Sequence, residues 1–446
     1  MASTYLTRTT GTPTSTKTYT FSAWIKRCDI GAGNAKIFSR TWGSGGEEKL
    51  EWNADGIVFR QTSGAGGNTN WERITNRKFR DSSGYYHVVV TYNSLESTAT
   101  DRIKIYINGV QETSFSSSSN PSLDGDSGFM DNGIPQNYGR YGLGGQFTSA
   151  IWSHVHLIDG TAYDATAFGQ YDANGVWTIK TSPSVTYGNN GFFILKDGNS
   201  VIDQSGNGNN LTVAGGTLTN TEDNPSNVFA TLNSLYRDGG SAITYSNGNN
   251  TCDVGGGNDW CTAPSTLGAT SGKFYFEGKF TLNSATEGYI GIAQDGNLNV
   301  KTNVPNYLGI DNYSIGYYSG NGNYYRDTSS FTYGNTFTTG DIVGCAVDID
   351  NKKIYFSKNG VWQNSGDPTS GATGTGAIDV SSYFITGDPY FLCFSPNQSK
   401  FEGNFGNGYF GTTAVSSAGT NASGIGIFEY DVPTGYTALS TKGLNL

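Results

Sequence analysis

Residues Gly340 to Gln363 constrain the fold of this chain more tightly than any other stretch. They read Gly-Asp-Ile-Val-Gly-Cys-Ala-Val-Asp-Ile-Asp-Asn-Lys-Lys-Ile-Tyr-Phe-Ser-Lys-Asn-Gly-Val-Trp-Gln. Val343, Cys345, Val347 and Ile349 alternate with Ile342, Gly344, Ala346 and Asp348. That period of two predicts a strand with one bulky apolar face and one face of mostly small residues. Asp350-Asn351-Lys352 interrupts the alternation as a turn, and Ile354 and Phe356 resume it on a partner strand. Asn359-Gly360 then supplies residues that accept positive φ at a second turn. The stretch predicts an antiparallel hairpin.

The same residues carry a resemblance. Gly340, Asp341, Gly344, Cys345, Asp348, Phe356, Asn359 and Gly360 fill, in type and spacing, the pattern of a SPRY (B30.2) domain. This resemblance implies a β-sandwich interaction module. Its other strands are expected at Gly272–Leu282, Gly288–Ala293, Ser314–Tyr318, Tyr390–Ser395 and Lys400–Asn407, with Phe428–Leu439 as the last.

A chain of 446 residues exceeds one ordinary core, so two domains are expected. The N-terminal half supplies further alternating runs at Thr18–Arg27, Ile37–Arg40, Lys49–Trp52, Gly56–Gln61, Tyr85–Tyr92 and Arg102–Val110. Phe21-Ser-Ala-Trp24, His87-Val-Val-Val-Thr-Tyr92 and Ile105-Tyr-Ile-Asn-Gly-Val110 resemble the laminin-G-like branch of the concanavalin-type sandwiches. A single helical turn is expected around Asp164–Phe168. The predicted fold is all-β: two concanavalin-like antiparallel β-sandwiches of jelly-roll type in tandem. Their expected bounds are 1–214 and 235–446, joined by a linker over 215–234 where apolar alternation lapses.

Sixty-three glycines, with only 14% charged residues, suit short strands joined by many turns. The 13% of aromatic residues in alternating runs argues against disorder. A net charge of −10 argues against non-specific nucleic-acid binding. The absence of an 18-residue apolar run argues against membrane insertion, and Met1–Thr20 does not read as a signal peptide. Five cysteines do not make a disulfide framework. Cys345 and Cys393 are expected as buried thiols, while Cys252 and Cys261 flank a Gly-rich loop and either pair or stay free. The cysteine usage suits synthesis in a reducing cytoplasm.

Lectin-like sandwiches include glycoside hydrolases, which need two carboxylates about 5–10 Å apart. Asp348 and Asp350 are the strand pair that qualifies by spacing, and solvated acids at a hairpin end account for them. His154 and His156 share a strand face and have metal-ligand chemistry, against a plain polar strand face. His87 is expected as a structural residue. Asp124, Asp126 and Asp131 form an acidic loop with calcium-type oxygen ligands, against solvated loop acids. The Gly-rich loops at Gly64–Gly67 and Gly255–Gly257 lack the strand-to-helix context that cradles phosphate. No catalytic residue, metal or cofactor is therefore assigned, and the chain is expected not to be an enzyme. Aromatic side chains are the binding candidates: Trp42 and Trp71 in Gly-rich loops, and Tyr317, Tyr318, Tyr324 and Tyr325 around Gly320–Gly322. They suit a glycan or a protein partner, or packing inside an oligomer.

The order of phrases adds a further resemblance. A laminin-G-like region ending in His156–Trp177, then Asp203-Gln-Ser-Gly-Asn-Gly-Asn209, then a SPRY-like region closing with Val432–Thr441, is similar to structural proteins of tailed bacteriophages, particularly marine ones. This implies a virion component on the particle surface, at tail or head, made in the host cytoplasm. The expected partners are other virion proteins, further copies of the chain in a homo-oligomer (a trimer favoured), and a host-surface glycan or protein. A tail fibre, spike or other appendage is the first reading, a head decoration protein the second and a polysaccharide hydrolase the third.

Overall fold

The computed structural model describes every residue except 1–2, 32, 44, 65–66, 197, 199, 237–242, 256–259 and 295–306, and the side chains of 284–286. The Gly-rich loops expected to leave phosphate uncradled lie partly outside the described residues. The chain divides into two compact units, Met1–Asn220 with Asn224–Ser226, and Thr221–Asp223 with Asn227–Leu446.

In the first unit the strands are β1 (Tyr5–Thr9), β2 (Thr18–Arg27), β3 (Ala35–Trp42), β4 (Gly46–Asn53), β5 (Gly56–Ser63), β6 (Asn68–Thr75), β7 (Tyr85–Asn93) and β8 (Ile103–Ile107). They continue with β9 (Val110–Gln111), β10 (Phe115–Ser119), β11 (Pro135–Tyr138), β12 (Ala150–Asp159), β13 (Gly169–Tyr171), β14 (Trp177–Ile179), β15 (Phe192–Ile194) and β16 (Thr212–Ala214). The two large sheets have the orders β10-β6-β5-β4-β3-β11-β1-β16 and β15-β12-β2-β7-β8-β9, and β13 pairs β14 in a small third one. The period-two pattern decides what lies between them. Tyr19, Phe21 and Ile25 of β2 and Ile103, Ile105 and Ile107 of β8 meet Phe38, Leu50, Phe59 and Trp71 of the facing sheet. Each large side chain buried there contributes about 1.5–3 kcal/mol. The expected helical turn is a 3₁₀ turn at Ala165–Ala167, capped by Asp164, whose carboxylate accepts from Thr166 N.

The second unit contains β17 (Thr244–Ser246), β18 (Thr251–Asp253), β19 (Ala263–Ala269), β20 (Lys273–Gln294), β21 (Ser314–Tyr318), β22 (Asn323–Arg326) and β23 (Ser329–Thr332). It continues with β24 (Ile342–Asp348), β25 (Lys353–Lys358), β26 (Val361–Trp362), β27 (Ile378–Asp379) and β28 (Tyr390–Asn404), followed by the short pair β29 (Tyr409–Phe410) and β30 (Thr413–Ala414). Four strands expected separately are two long ones, β20 and β28. They pair along both halves with a register irregularity between Leu282 and Glu287, opposite Asn397–Ser399. The first half of β20 pairs β24 and its second half pairs β21, so the sheet branches along this strand. Phe276 of the first half packs edge-on against Phe394 of the first half of β28, with ring centroids 5.7 Å apart.

The expected hairpin is present, with Val347 opposite Ile354 and Cys345 opposite Phe356. Both Asn-Gly turns adopt positive φ, 49° and 83° at Asn108-Gly109 and 49° and 80° at Asn359-Gly360. The asparagine side chain works the same way in each: Asn108 Oδ1 accepts from His87 N at 2.8 Å, and Asn359 Oδ1 from Ile342 N at 2.9 Å. The small-residue face of β24 has a steric cause. A Cβ on Gly344 would lie 2.5 Å from the Tyr275 hydroxyl and 2.6 Å from Ser357 Oγ. Gly344→Val is expected to destabilise the second unit by about 1–3 kcal/mol through overpacking, read from its thermal transition.

The expected linker is shorter than 215–234. Phe229, Ala230 and Leu232 are buried, and Ala230 N donates to Leu439 O, so the segment from Asn227 belongs to the second unit. Isolated apolar residues among Thr, Asn and Ser hide this contribution from a search for alternation.

Candidate binding surface

Strand parity sorts the aromatic candidates. Tyr317 faces the core of the second unit, fully buried and stacked on Phe356 at 5.2 Å, with its hydroxyl donated to Asn335 O. Tyr324 stands opposite Tyr317 in register and stacks on Phe331 at 4.9 Å. Tyr318 and Tyr325 lie on the other face, with ring centroids 5.4 Å apart, edge to face. The expected single cluster of four tyrosines is therefore two groups on opposite faces of one sheet.

Tyr318 and Tyr325 belong to a larger group. Tyr289 of β20 stacks on Tyr318 at 4.7 Å and meets Tyr325 edge-on at 5.4 Å. Tyr307 stacks on Tyr289 at 5.4 Å, and Trp260 lies 5.0 Å from it. Tyr289 is buried beneath the others, whereas Trp260, Tyr307, Tyr318 and Tyr325 are half-buried. Two glycines allow the rings this close. A Cβ on Gly316 would lie 2.8 Å from the Tyr289 ring, and one on Gly291 would lie 1.9 Å from Ile315 O. Burial and the Glu287 carboxylate hold the Tyr318 phenol well above its usual range, so it remains a proton donor. Asn321 Nδ2 donates to Tyr325 Oη at 3.0 Å and orients it. Tyr289, Trp260 and Tyr307 were missed by sequence reasoning. Parity along Gly288–Ala293 would have found Tyr289, since Ile290 and Ile292 take the core face.

The tryptophan candidates sit elsewhere. Trp71 is not in a loop: it lies in β6, 1% exposed, edge-on to Phe59 at 4.8 Å in the core of the first unit. Trp42 ends β3 half-buried, its ring filling the space that side chains would take at Gly46 and Gly128.

The titratable candidates are engaged structurally. Asp348 is bound by Lys273 Nζ at 2.9 Å and by Asn351, while Asp350 accepts from Gly272 N at 2.8 Å. Both close the ends of strands. Asp124 pairs with Lys17, Asp126 accepts from Thr16 Oγ1, and Asp131 lies 4.0 Å from Arg40. A bulge between Ser153 and His156 gives His154 a φ of 48°. His156 is buried against Phe193 at 4.0 Å and meets the Tyr187 hydroxyl at 3.0 Å. Among the described residues no group of three or more His, Cys, Asp or Glu is placed to hold a metal ion. All five cysteines are buried, and Cys252 and Cys261 form no disulfide.

Two family models match: the concanavalin A-like lectin/glucanases superfamily over residues 2–152 and the SPRY domain over residues 273–407. The chain carries a laminin-G-like domain and a SPRY domain. The chain is 35% identical over 94 residues to the Ran-binding proteins 9/10 homolog of Drosophila melanogaster, covering 21% of this chain and 9% of that protein. It is 38% identical over 96 residues to Ran-binding protein 9 of Homo sapiens, covering 21% of this chain and 12% of that protein. The match thus spans a small part of the curated relatives' length. The solved SPRY domain of human HERC1 is similar at 16% identity and a TM-score of 0.28, over 39% of this chain and 96% of that one. Within the SPRY domain of this chain, the outward rings of Tyr318 and Tyr325 lie on the face of β21 and β22 opposite the core.

Proposed function

We propose that this chain is a non-enzymatic structural protein of a tailed-phage particle, an appendage whose sandwiches present a surface for host recognition. The aromatic group on the outer face of the SPRY domain carries the recognition part. Trp260, Tyr307, Tyr318 and Tyr325 offer half-buried rings with polar tips packed around Tyr289, which suits stacking on a sugar or anchoring a protein partner. The order of phrases along the chain supports the virion assignment. The partners in this reading are other virion proteins, further copies of the chain as a homotrimer, and a host glycan or protein. Its place is the particle surface. Binding of Ran is not part of the proposal, because the shared stretch is a small portion of the Ran-binding relatives.

Quantitative imaging of purified particles tests the assignment. A few to a few dozen copies at the tail are expected. Hundreds of copies over the head would replace the appendage reading with the second, head decoration, which two compact sandwich units also suit. Absence from the particle would sink both. Tyr318→Ala with Tyr325→Ala is expected to weaken host-cell adsorption by about tenfold or more, at roughly 1–2 kcal/mol per anchoring ring. Adsorption unchanged in a folded double variant would remove the recognition role from this face.

A further inference from the structure

On β4 of the first unit, Leu50 and Trp52 turn into the core, so Glu47, Lys49 and Glu51 share the opposite face. Lys36 of β3 stands opposite Glu51 in register. Its Nζ donates to Glu51 Oε2, and the two side chains are only 1% and 2% exposed. The segment between β11 and β12 closes over them. Lys36 N donates to Gln146 O at 3.1 Å, and the Tyr141 ring lies 5.4 Å from Lys36 Nζ.

The four charged groups are differently placed. Glu47 Oε1 lies 3.8 Å from Lys36 Nζ, buried and without a hydrogen bond among the described residues. Lys49 Nζ bridges Glu47 Oε2 at 3.2 Å and Glu51 Oε1 at 3.3 Å. Burial lowers the Lys36 ammonium, whereas Lys49, against its own burial, is raised by Glu51 and Glu47. Lys36 is thus the amine that releases a proton more readily, and Lys49 the cation that persists.

We propose that Lys36 and Glu51 condense into an isopeptide bond joining β3 to β4 within one chain, with Glu47 as the proton relay. Glu47 Oε1 takes a proton from the Lys36 ammonium, and the neutral Nζ attacks Cδ of Glu51. The charge that develops on Glu51 Oε1 faces the Lys49 ammonium. Glu47 returns the proton to Glu51 Oε2, then carries a second one from Nζ to the same oxygen. The Cδ–Oε2 bond breaks and one water leaves. Nζ keeps one hydrogen, Glu47 ends as it began, and no oxidant or co-reactant is consumed.

Proximity and burial both favour the step. Reacting groups held in contact behave as if at about 10⁵–10⁸ M. Two charges withdrawn from water lose hydration that their attraction repays only where every lone pair is answered, and Glu47 Oε1 is not. Condensation removes one charge of each sign and leaves Lys49 and Glu47 as a balanced pair. The bond depends neither on the particle assignment nor on the role proposed for the SPRY face.

Intact-mass spectrometry of the folded full chain tests it. The parent is expected to weigh one water less than its sequence, and its tryptic digest to contain a branched peptide linking Lys36 to Glu51. Lys36→Arg keeps a cation opposite Glu51 but lacks the amine, and is expected at full sequence mass. Glu47→Gln keeps the size of the relay and is expected to link about a hundredfold more slowly, so that its unlinked form persists. A folded parent at full sequence mass would overturn the proposal, as would a water loss that fragmentation places at other residues. Linkage in Glu47→Gln at the parent's rate would overturn the mechanism by removing its relay.

Discussion

Glu277→Ala is expected to unfold the second unit at temperatures where the first is still native. Glu277 sits in the first half of β20 with its carboxylate fully buried. Oε2 accepts from Glu429 N at 2.9 Å and from Asn404 Nδ2 at 3.2 Å. Oε1 accepts from Tyr430 N at 2.9 Å and from the Tyr275 hydroxyl at 3.1 Å. This one side chain therefore ties the closing segment, with its buried Phe428, Val432 and Tyr436, to the sheet. Alanine leaves four donors unanswered where water is excluded, at about 1–3 kcal/mol for each that finds no new acceptor. A loss of about 3–5 kcal/mol is a large share of the roughly 5–15 kcal/mol that holds a domain together. Glu277→Gln keeps the shape but turns an amide toward donors, so it falls between alanine and the parent. Hydrogen exchange over 428–439 gives the readout. A Glu277→Ala protein whose second-unit transition stays within a degree of the parent would refute the assignment.

The second large effect is acid destabilisation confined to the first unit. All three histidines lie there. His87 is buried between Trp24 and Trp177, and Trp177 Nε1 donates to its Nδ1 at 3.0 Å. Nδ1 is thus the acceptor, and the ring proton sits on Nε2, 2.9 Å from Ser22 Oγ. A second proton would set two donors face to face. Burial accordingly lowers His87 to about 3 and carries His156 well below its usual value. Both groups bind protons less tightly in the folded state than in the unfolded one, so their stability is present above about pH 6.5 and is lost as pH falls toward 3. Each tenfold difference in proton affinity is worth about 1.4 kcal/mol.

Buried glutamates act in the opposite direction. Glu48 accepts from the Tyr19 hydroxyl at 2.6 Å and from Ser127 and Phe129 N, and burial raises it to about 7. Burial also raises Glu277 to about 7. A raised carboxyl binds its proton more tightly when folded, so each glutamate adds stability as pH falls from 7 toward 4.5. In the first unit two histidines oppose one such glutamate, while in the second Glu277 acts with no histidine against it. Calorimetry from pH 7 to pH 5 is expected to show the first unit's transition falling while the second holds or rises. Parallel descent of the two would contradict this account.

The hairpin at 340–363 was legible because its determinants are local. Side-chain parity, a polar interruption and an Asn-Gly pair specify two strands and a turn without reference to anything distant. The laminin-G-like strands around Phe21, Val88–Val90 and Ile103–Ile107 were legible for the same reason. Trp71 was misplaced because nearby glycines look like a loop, whereas pairing with β5 and β10 makes a strand of 68–75. Tyr317, Tyr318, Tyr324 and Tyr325 looked like one cluster because they are close in sequence. Sheet pleating separates them, since successive side chains leave a strand on opposite faces.

The candidate surface itself came from long-range assembly. Trp260, Tyr289, Tyr307 and Tyr318 belong to four separate stretches, and only strand pairing across β20 and β21 and the return of distant segments bring their rings together. Periodicity in the chain decides which elements form and which face of each is apolar, because those are nearest-neighbour properties. Which outward side chains share a surface depends on register and on what later segments cover, and those are settled only when the whole core closes.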